Sequence, residues 1–143
     1  MVKVNIQLLH EDARMPSFAY DGDAGADLYA LNTVVIKRFS RALVRTGLAI
    51  AVPKGYEAQI RPRSGLALKH GITVLNSPGT IDSGYRGEVG VILANMSRDD
   101  YLVEKHTKIA QMVVKKVEKV TFRKVAKLGA SQRGNGGFGS SGQ

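Results

Sequence analysis

Cysteine and tryptophan are absent from this chain of 143 residues, and histidine occurs only three times. Without cysteine, neither disulfides nor thiolate catalysis are available. His10, His70 and His106 lie too far apart in the sequence for a typical histidine zinc site. No stretch approaches the roughly 18–20 consecutive apolar residues of a membrane-spanning helix. We therefore expect no membrane partner and take the cytoplasm as the default location.

Positive charge is in excess and unevenly distributed along the chain. The net charge is +9, of which residues 98–143 contribute +6 from ten Lys and Arg against four Asp and Glu. This excess favours phosphate-bearing small molecules, nucleic acid or an anionic surface as partners, although a basic soluble surface explains it equally well. Single-stranded nucleic acid is bound by aromatic side chains interleaved with basic ones. That pattern is absent, so we do not expect a nucleic-acid partner.

Short runs of β-branched and apolar residues predict an all-β fold. The predicted strands, separated by Gly, Pro, Asp and Ser turns, are VKVNIQLL, TVVIKRF, LVRTGLAIAV, YEAQIRPR, GITVL, VGVILANM and IAQMVVKKV. Only SGLALKH, residues 64–70, is predicted to be helical. The pattern indicates a jelly-roll-like β-barrel or sandwich over residues 1–128. Residues 129–143 are rich in Gly and Ser, and we expect them to form a flexible arm.

Two segments in the first half combine small residues with charge. In GDAGADLYA, residues 22–30, the backbone can approach a ligand closely and Asp27 precedes a strand-like run; a turn with an Asx hydrogen bond is the simpler interpretation. In RPRSGLALKHG, residues 61–71, Ser64 is a predicted helix N-cap. Arg63 beside a helix start also favours a phosphate, though an ordinary capped helix explains the same residues.

Three later segments place isolated polar residues in unusual surroundings. NSPGTIDSGYRGEVGV, residues 76–91, can form two strands around a slot for a flat ring, with Asp82 at its edge and Tyr85 as an aromatic face; a plain hairpin is the alternative. Gln111 stands among apolar residues and needs a hydrogen-bond partner if buried. In RGNGGFGSSG, residues 133–142, Arg133 and Phe138 suit an arm that closes over a phosphate and stacks on a base, although a linker also explains the glycines.

The ordered set AGADL, PRSGLA, GTIDSGYRG, IAQ and RGNGGFGSSG closely resembles the five motifs of the trimeric deoxyuridine 5′-triphosphate nucleotidohydrolases, the dUTPases. The resemblance spans residues 22–142. It implies a jelly-roll-like subunit and a homotrimer whose three active sites lie at subunit interfaces, with the glycine-rich arm supplied across the trimer. The implied reaction converts dUTP and water to dUMP and pyrophosphate, with Mg²⁺.

The resemblance also implies the catalytic roles. Asp82 resembles the carboxylate that positions and deprotonates the attacking water. Gln111 resembles the residue near the α-phosphate and that water, and Arg133 the residue that reaches the terminal phosphate. Asp27 resembles the carboxylate that meets Mg²⁺ through water, so that no direct protein ligand to the metal is expected.

The implied binding residues fall into three groups. The uracil slot, formed largely by backbone groups, is expected at Asn76, Gly79, Thr80, Ile81 and Gly90. Tyr85 is expected under the deoxyribose. The phosphate site is expected at Arg63, Ser64 and Gly65. In the arm, Phe138 is expected to stack on uracil, and further contacts are expected from Gly139, Ser140 and Ser141.

Some features remain open at this stage. Asn135 stands where the family commonly has an acidic residue, and Ala26 where a bulkier one is frequent. The resemblance does not account for the basic cluster at Lys115, Lys116, Lys119, Arg123, Lys124 and Lys127.

The rival functions are a deoxycytidine triphosphate deaminase of the same structural superfamily and a catalytically silent, nucleotide-binding regulatory module.

Overall fold

Strands dominate the computed structural model, which describes residues 1–142. Over these residues the chain forms ten strands and one helix, so the predicted all-β class with one short helix is confirmed. The elements in chain order are β1 (Asn5–Leu8), β2 (Ala26–Tyr29), β3 (Val34–Ile36), β4 (Arg41–Ala51), β5 (Tyr56–Arg61), α1 (Ser64–His70), β6 (Ile72–Val74), β7 (Gly79–Ile81), β8 (Glu88–Asn95), β9 (Tyr101–Val103) and β10 (Lys108–Lys116).

The strands pair into two four-stranded antiparallel sheets and one two-stranded ribbon. The first sheet has the order β1-β4-β8-β6 and the second has the order β2-β10-β5-β7, while β3 pairs with β9. Leu48 and Leu93 of the first sheet and Leu28 and Ile109 of the second belong to one buried apolar cluster. The apolar residues that alternate along the strands therefore point inward, and they pack one sheet against the other.

Helix α1 covers the predicted residues, but its start differs from the prediction. Arg63, in an extended conformation, is the N-cap residue, and its carbonyl accepts the N–H of Ala67 at 3.0 Å. The prediction of Ser64 as N-cap is wrong, because Ser64 already belongs to the first helical turn and no side chain caps the helix. The helix ends at Gly71, whose φ of 65° is the left-handed conformation that glycine adopts most easily.

The last strand ends at Lys116, and residues 117–142 contain no strand or helix. Every residue of this segment is exposed except Gly136 and Gly137, which are half-buried. A main-chain hydrogen bond from the N–H of Val117 to the carbonyl of Gly55 attaches the start of the segment to the barrel at 2.9 Å. The expected boundary between barrel and arm at residue 128 stays a prediction.

Candidate active site

A pocket of about 180 Å³ lies where β7 and the start of β8 face each other. Its lining includes seven residues that the sequence assigned to base, sugar or water recognition, namely Asn76, Gly79, Thr80, Ile81, Asp82, Tyr85 and Gly90. Ile60, Val74, Val89 and Val91 add apolar surface. Such a cavity can hold a flat ring between apolar walls while main-chain groups of β7 and β8 face the ring's edge.

Gly79 allows the chain to approach the pocket floor closely. It pairs in register with Ile60 of β5, and a Cβ atom at this position would lie 3.3 Å from Asn76 Nδ2 and 3.4 Å from Ile60 Cβ. A larger residue would therefore displace the Asn76 amide. The sequence placed the glycine in the slot, and the structure adds the side chain against which it packs.

Tyr85 is folded back over the hairpin at the pocket. Its hydroxyl donates a hydrogen bond to the carbonyl oxygen of Glu88 at 2.9 Å. A Cβ atom on Gly87 would lie 2.6 Å from Tyr85 Cζ, so this ring position requires glycine two residues later. The ring is consequently held at the pocket by the main chain of its own hairpin.

Asp82 follows β7 directly, is exposed, and lines the pocket. The turn it begins is closed by the main chain, because Tyr85 N–H donates to the Asp82 carbonyl at 3.0 Å. Among the described residues, none donates a hydrogen bond to the Asp82 carboxylate. The turn therefore does not occupy this side chain, which is available to a water molecule or a ligand at the pocket.

A second group of predicted residues surrounds Asp27. The sequence interpretation of Asp27 as a loop residue with an Asx bond is wrong, since Asp27 lies within β2 and is only 3% exposed. Lys108 Nζ lies 2.7 Å from Asp27 Oδ2, and Arg63 Nε lies 3.5 Å from Oδ1. These two cations compensate the burial of the carboxylate. The hydrogen bond to Asp27 raises the pKa of Lys108 above its ordinary value.

Gln111 lies in the same row of the second sheet. It is opposite Asp27 on β2 and opposite Arg61 on β5. A Cβ atom on Gly25 would lie 3.2 Å from both Gln111 Cβ and Gln111 Oε1, so Gly25 leaves the space that this side chain fills. The first, second and fourth motifs thus meet at Asp27, Arg63 and Gln111, with Ser64 and Gly65 following Arg63 in the first turn of α1.

The lining of the pocket includes no residue of the group around Asp27. Asp27 and the pocket strand β7 lie at opposite edges of the second sheet, whereas Gln111 lies on the inner strand β10 and Arg63 follows the inner strand β5. The arm residues join neither group: Phe138 is fully exposed, and Arg133 Nε donates to the carbonyl of Gly136 at 2.8 Å. Gly139, Ser140 and Ser141 are exposed as well.

The donor set around Asp27 fits a hydrated metal ion better than a directly bound one. Among the described residues, no group of three or more His, Asp or Glu side chains converges on a common point. Asp27 Oδ2 is paired with Lys108, whereas the buried Oδ1 accepts no hydrogen bond. An isolated carboxylate with one unused acceptor oxygen suits contact through a water molecule in the shell of an ion that substrate phosphates hold.

Sequence reasoning missed two residues that the structure brings into these groups. Lys108, immediately before the IAQ motif, is the nearer cation to Asp27. Glu88, immediately after the GTIDSGYRG motif, lines the pocket. The ion-pair partners of Lys108 and Glu88 lie more than forty residues away in the sequence. Only the positions of the two residues next to motifs could therefore have marked them as site residues.

A family model described as dUTPase matches residues 11–142. The chain belongs to the dUTPase family. The deoxyuridine 5′-triphosphate nucleotidohydrolase of Clostridium tetani (strain Massachusetts / E88) is 55% identical over 140 residues, which are 98% of this chain and 97% of that relative. Members of the family hydrolyse dUTP to dUMP and pyrophosphate. The prediction that the chain is a dUTP-hydrolysing enzyme is therefore confirmed, and the family is not that of the rival deaminase.

Two solved dUTPases have the same fold. A mutant of the Staphylococcus bacteriophage 80alpha dUTPase, solved with dUpNHpp, superposes with a TM-score of 0.87 at 28% identity, covering 99% of both chains. A mutant dUTPase from phage phi11 of S. aureus, in which a structural Mg(II) ion is coordinated, has a TM-score of 0.82 at 25% identity, covering 90% of this chain and 99% of that one. The jelly-roll-like architecture expected for the barrel is thereby confirmed.

No helix in the described chain combines the length and apolarity that crossing a bilayer requires.

Proposed function

We propose that Asp82 orients and deprotonates a water molecule that attacks the α-phosphorus of dUTP bound in the pocket. The bond from water oxygen to the α-phosphorus forms, the bond from that phosphorus to the bridging oxygen breaks, and pyrophosphate leaves. The proton of the water passes to the Asp82 carboxylate. The observation that supports this mechanism is the gathering of Asp82, Tyr85 and the β7 backbone around one pocket, with the Asp82 carboxylate unengaged.

Base and sugar selection follow from the walls of the pocket. Main-chain donors and acceptors at Gly79 to Ile81, with Asn76 and Gly90, match the hydrogen-bonding edge of uracil and leave cytosine with donors facing donors. A buried mismatch of this kind discriminates by roughly 10⁴-fold. Close packing at C5 excludes thymine. Tyr85, fixed against Gly87 and Glu88, lies under the deoxyribose and leaves no room for a 2′-hydroxyl.

The triphosphate is assigned to the second group and to the arm. Arg63 supplies positive charge, Ser64 and Gly65 present main-chain N–H groups that have no acceptor within the helix, and Gln111 contacts the α-phosphate and the water. Bound Mg²⁺, held by the phosphates and by Asp27 through water, would neutralise charge that develops on the phosphate chain. Asp27 would accept a hydrogen bond from that water, and Oδ1 is the oxygen left for it because Lys108 is paired with Oδ2.

The arm closes the site in this proposal. Phe138 stacks on uracil, Arg133 binds the terminal phosphate, and Gly139, Ser140 and Ser141 add contacts. These arm residues are exposed and therefore accessible to a bound nucleotide. Closure would exclude bulk water from the reacting phosphate.

We further propose that the enzyme acts in the cytoplasm as a homotrimer with sites shared between chains. The support for shared sites is geometrical: Asp27 and the pocket strand β7 lie at opposite edges of one sheet, and the arm residue Phe138 is fully exposed. A related protein, the bacteriophage 80alpha dUTPase mutant, binds the dUTP analogue dUpNHpp.

The deciding experiment is product analysis with Mg²⁺ and four nucleotides offered in parallel: dUTP, dCTP, UTP and dTTP. We expect dUMP and pyrophosphate from dUTP and negligible product from the other three. Release of phosphate in place of pyrophosphate would contradict attack at the α-phosphorus. Tight dUTP binding without turnover would leave the regulatory module as the better interpretation.

Site sharing is tested by mixing two variants expected to be strongly impaired, Asp82→Asn and a chain truncated after residue 130. If arm and pocket come from different chains, unfolded and refolded mixtures regain activity because some sites combine an intact arm with an intact pocket. Each variant refolded alone is the control. Mixtures as inactive as the controls would contradict sharing.

A further inference from the structure

Strand β4 contains an irregularity directly opposite the pocket wall. Its pairing with β8 shifts register between Arg45, which faces Gly90, and Ala49, which faces Glu88. Glu88 and Gly90 both line the pocket. Bulges of this type bend a strand and redirect neighbouring side chains, and they occur frequently beside active sites.

Side chains satisfy the main-chain donors that this bulge removes from the ladder. Gly47 N–H donates to Glu88 Oε1 at 2.8 Å, and Leu48 N–H donates to Thr46 Oγ1 at 3.3 Å. Thr46 Oγ1 in turn donates to the Val89 carbonyl at 2.5 Å. Gly47 has a φ of 71°, and a Cβ atom there would lie 2.8 Å from Ala13 Cβ. The bulge is therefore locked into one geometry by specific residues.

Glu88 connects this bulge to Tyr85. Its carboxylate accepts hydrogen bonds from Arg45 Nε at 3.0 and 3.2 Å, and Arg45 Nη2 lies 3.0 Å from Oε2. Its main-chain carbonyl accepts the Tyr85 hydroxyl. The Glu88 side chain is 24% exposed, so solvent screens this pair less than a pair on the open surface. One residue thus links the main chain of β4 to the aromatic ring at the pocket.

We propose that Glu88, clamped by Arg45 and Gly47 N–H, is a positioning residue for nucleotide selection. It fixes the β8 wall and the acceptor of the Tyr85 hydroxyl, and thereby the position of the ring that excludes a 2′-hydroxyl. This inference rests on the proposed function, since it takes Tyr85 as the sugar-facing residue. Glu88 itself need not contact the nucleotide.

The test compares kcat/KM for dUTP with that for UTP in Glu88→Ala, Glu88→Gln and Arg45→Met. In Glu88→Ala the preference for dUTP should fall by roughly tenfold, the effect expected for one lost, partly buried hydrogen bond. Glu88→Gln keeps an oxygen for Gly47 N–H but loses the charge facing Arg45, so its loss should be smaller. Arg45→Met should resemble Glu88→Gln. Lys37→Met, which removes the exposed ion pair to Asp100 away from the pocket, is the matched control with unchanged preference.

A purely structural role predicts a different result. If Glu88→Ala and Glu88→Gln lower the thermal midpoint but leave the ratio of the two kcat/KM values unchanged, the proposal is overturned. Should Glu88→Ala fail to fold, Glu88→Gln and Arg45→Met carry the test. If wild type hydrolyses no dUTP, the proposed function fails separately, and the affinity ratio of dUMP to UMP, measured by calorimetry, tests the positioning role in its place.

Discussion

The pocket hairpin and the arm both carry residues assigned to the nucleotide, yet the molecule holds them in opposite ways. Tyr85 has its hydroxyl bonded and its ring against Gly87. Phe138, the aromatic residue assigned to the other face of uracil, is fully exposed. The hairpin is therefore organised before the nucleotide arrives, whereas ordering of the arm costs conformational entropy on binding. In the proposed function, the hairpin selects the nucleotide by shape and the arm completes the site.

Of the substitutions in the pocket hairpin, Asp82→Asn should lower turnover most. Removing the proton acceptor should lower kcat by about 10³-fold, with dUpNHpp affinity and thermal midpoint nearly unchanged, because the carboxylate makes no hydrogen bond to the described residues. Steady-state kinetics and calorimetry measure these quantities. Asp21→Asn, an exposed loop aspartate outside the pocket, is the control. Unchanged turnover in Asp82→Asn would exclude the residue as the base.

Removal of residues 131–143 should separate the two regions most clearly. The barrel should remain folded with an unchanged midpoint, since residues 131–142 include no element of either sheet. Turnover should fall by about 10²-fold, because the site loses its closing segment and its positioning contacts. Circular dichroism melting and kinetics on the same preparation test both halves. Full activity in the truncated protein would show that the arm is only a tail.

Leu28→Ala and Phe138→Ala form a matched pair of apolar truncations, one in each region. Leu28 is fully buried in the core, so its truncation should cost about 2–5 kcal/mol in the free energy of unfolding. Phe138→Ala should change that quantity by less than about 0.5 kcal/mol, while raising KM for dUTP roughly tenfold through lost stacking. Urea titrations and kinetics distinguish the two. A destabilised Phe138→Ala would mean that the arm already packs on the protein without substrate.

The smallest effect is expected from acid titration of surface ion pairs. The Lys37 side chain, followed by the Arg38 N–H, holds the pKa of Asp100 below its usual 3.8. Because the folded-state pKa is lowered, the stabilisation is complete above pH 3.8 and is lost as the pH falls through the folded-state value. Urea midpoints measured between pH 5 and about 2.5 should fall slightly more for wild type than for Asp100→Asn. Identical pH profiles would show that this exposed pair contributes nothing measurable.

Local pattern predicted much of the barrel and of the pocket, because their residues are close in sequence. The helix at residues 64–70 and the pocket residues between Asn76 and Gly90 come from contiguous stretches. Contacts between distant residues explain the errors. Asp27 is buried in β2 because Lys108, 81 positions later, compensates its charge. Arg63, and not Ser64, is the N-cap residue, because Arg63 is extended and its carbonyl is the first acceptor of the helix.

The role of Glu88 was equally invisible in the sequence. Its carboxylate acts on a bulge 41 residues earlier in the chain. Gly47 within the predicted strand LVRTGLAIAV is a local sign of a bulge, but it does not indicate the distant partner. The three-residue strand β9 was not predicted either, since the charged residues on both sides of YLV interrupt the apolar pattern. Composition and spacing thus identify the candidate site residues more reliably than they predict the contacts that position each of them.

The placement of Asp27 and the pocket strand β7 at opposite edges of one sheet has a consequence for cells that make the enzyme. If each site combines surfaces of different chains, a newly synthesised chain is inert until it meets its partners, and catalytic capacity grows more steeply than linearly with protein concentration at low expression. A defective copy produced beside a sound one would silence a site whose other surfaces come from sound chains.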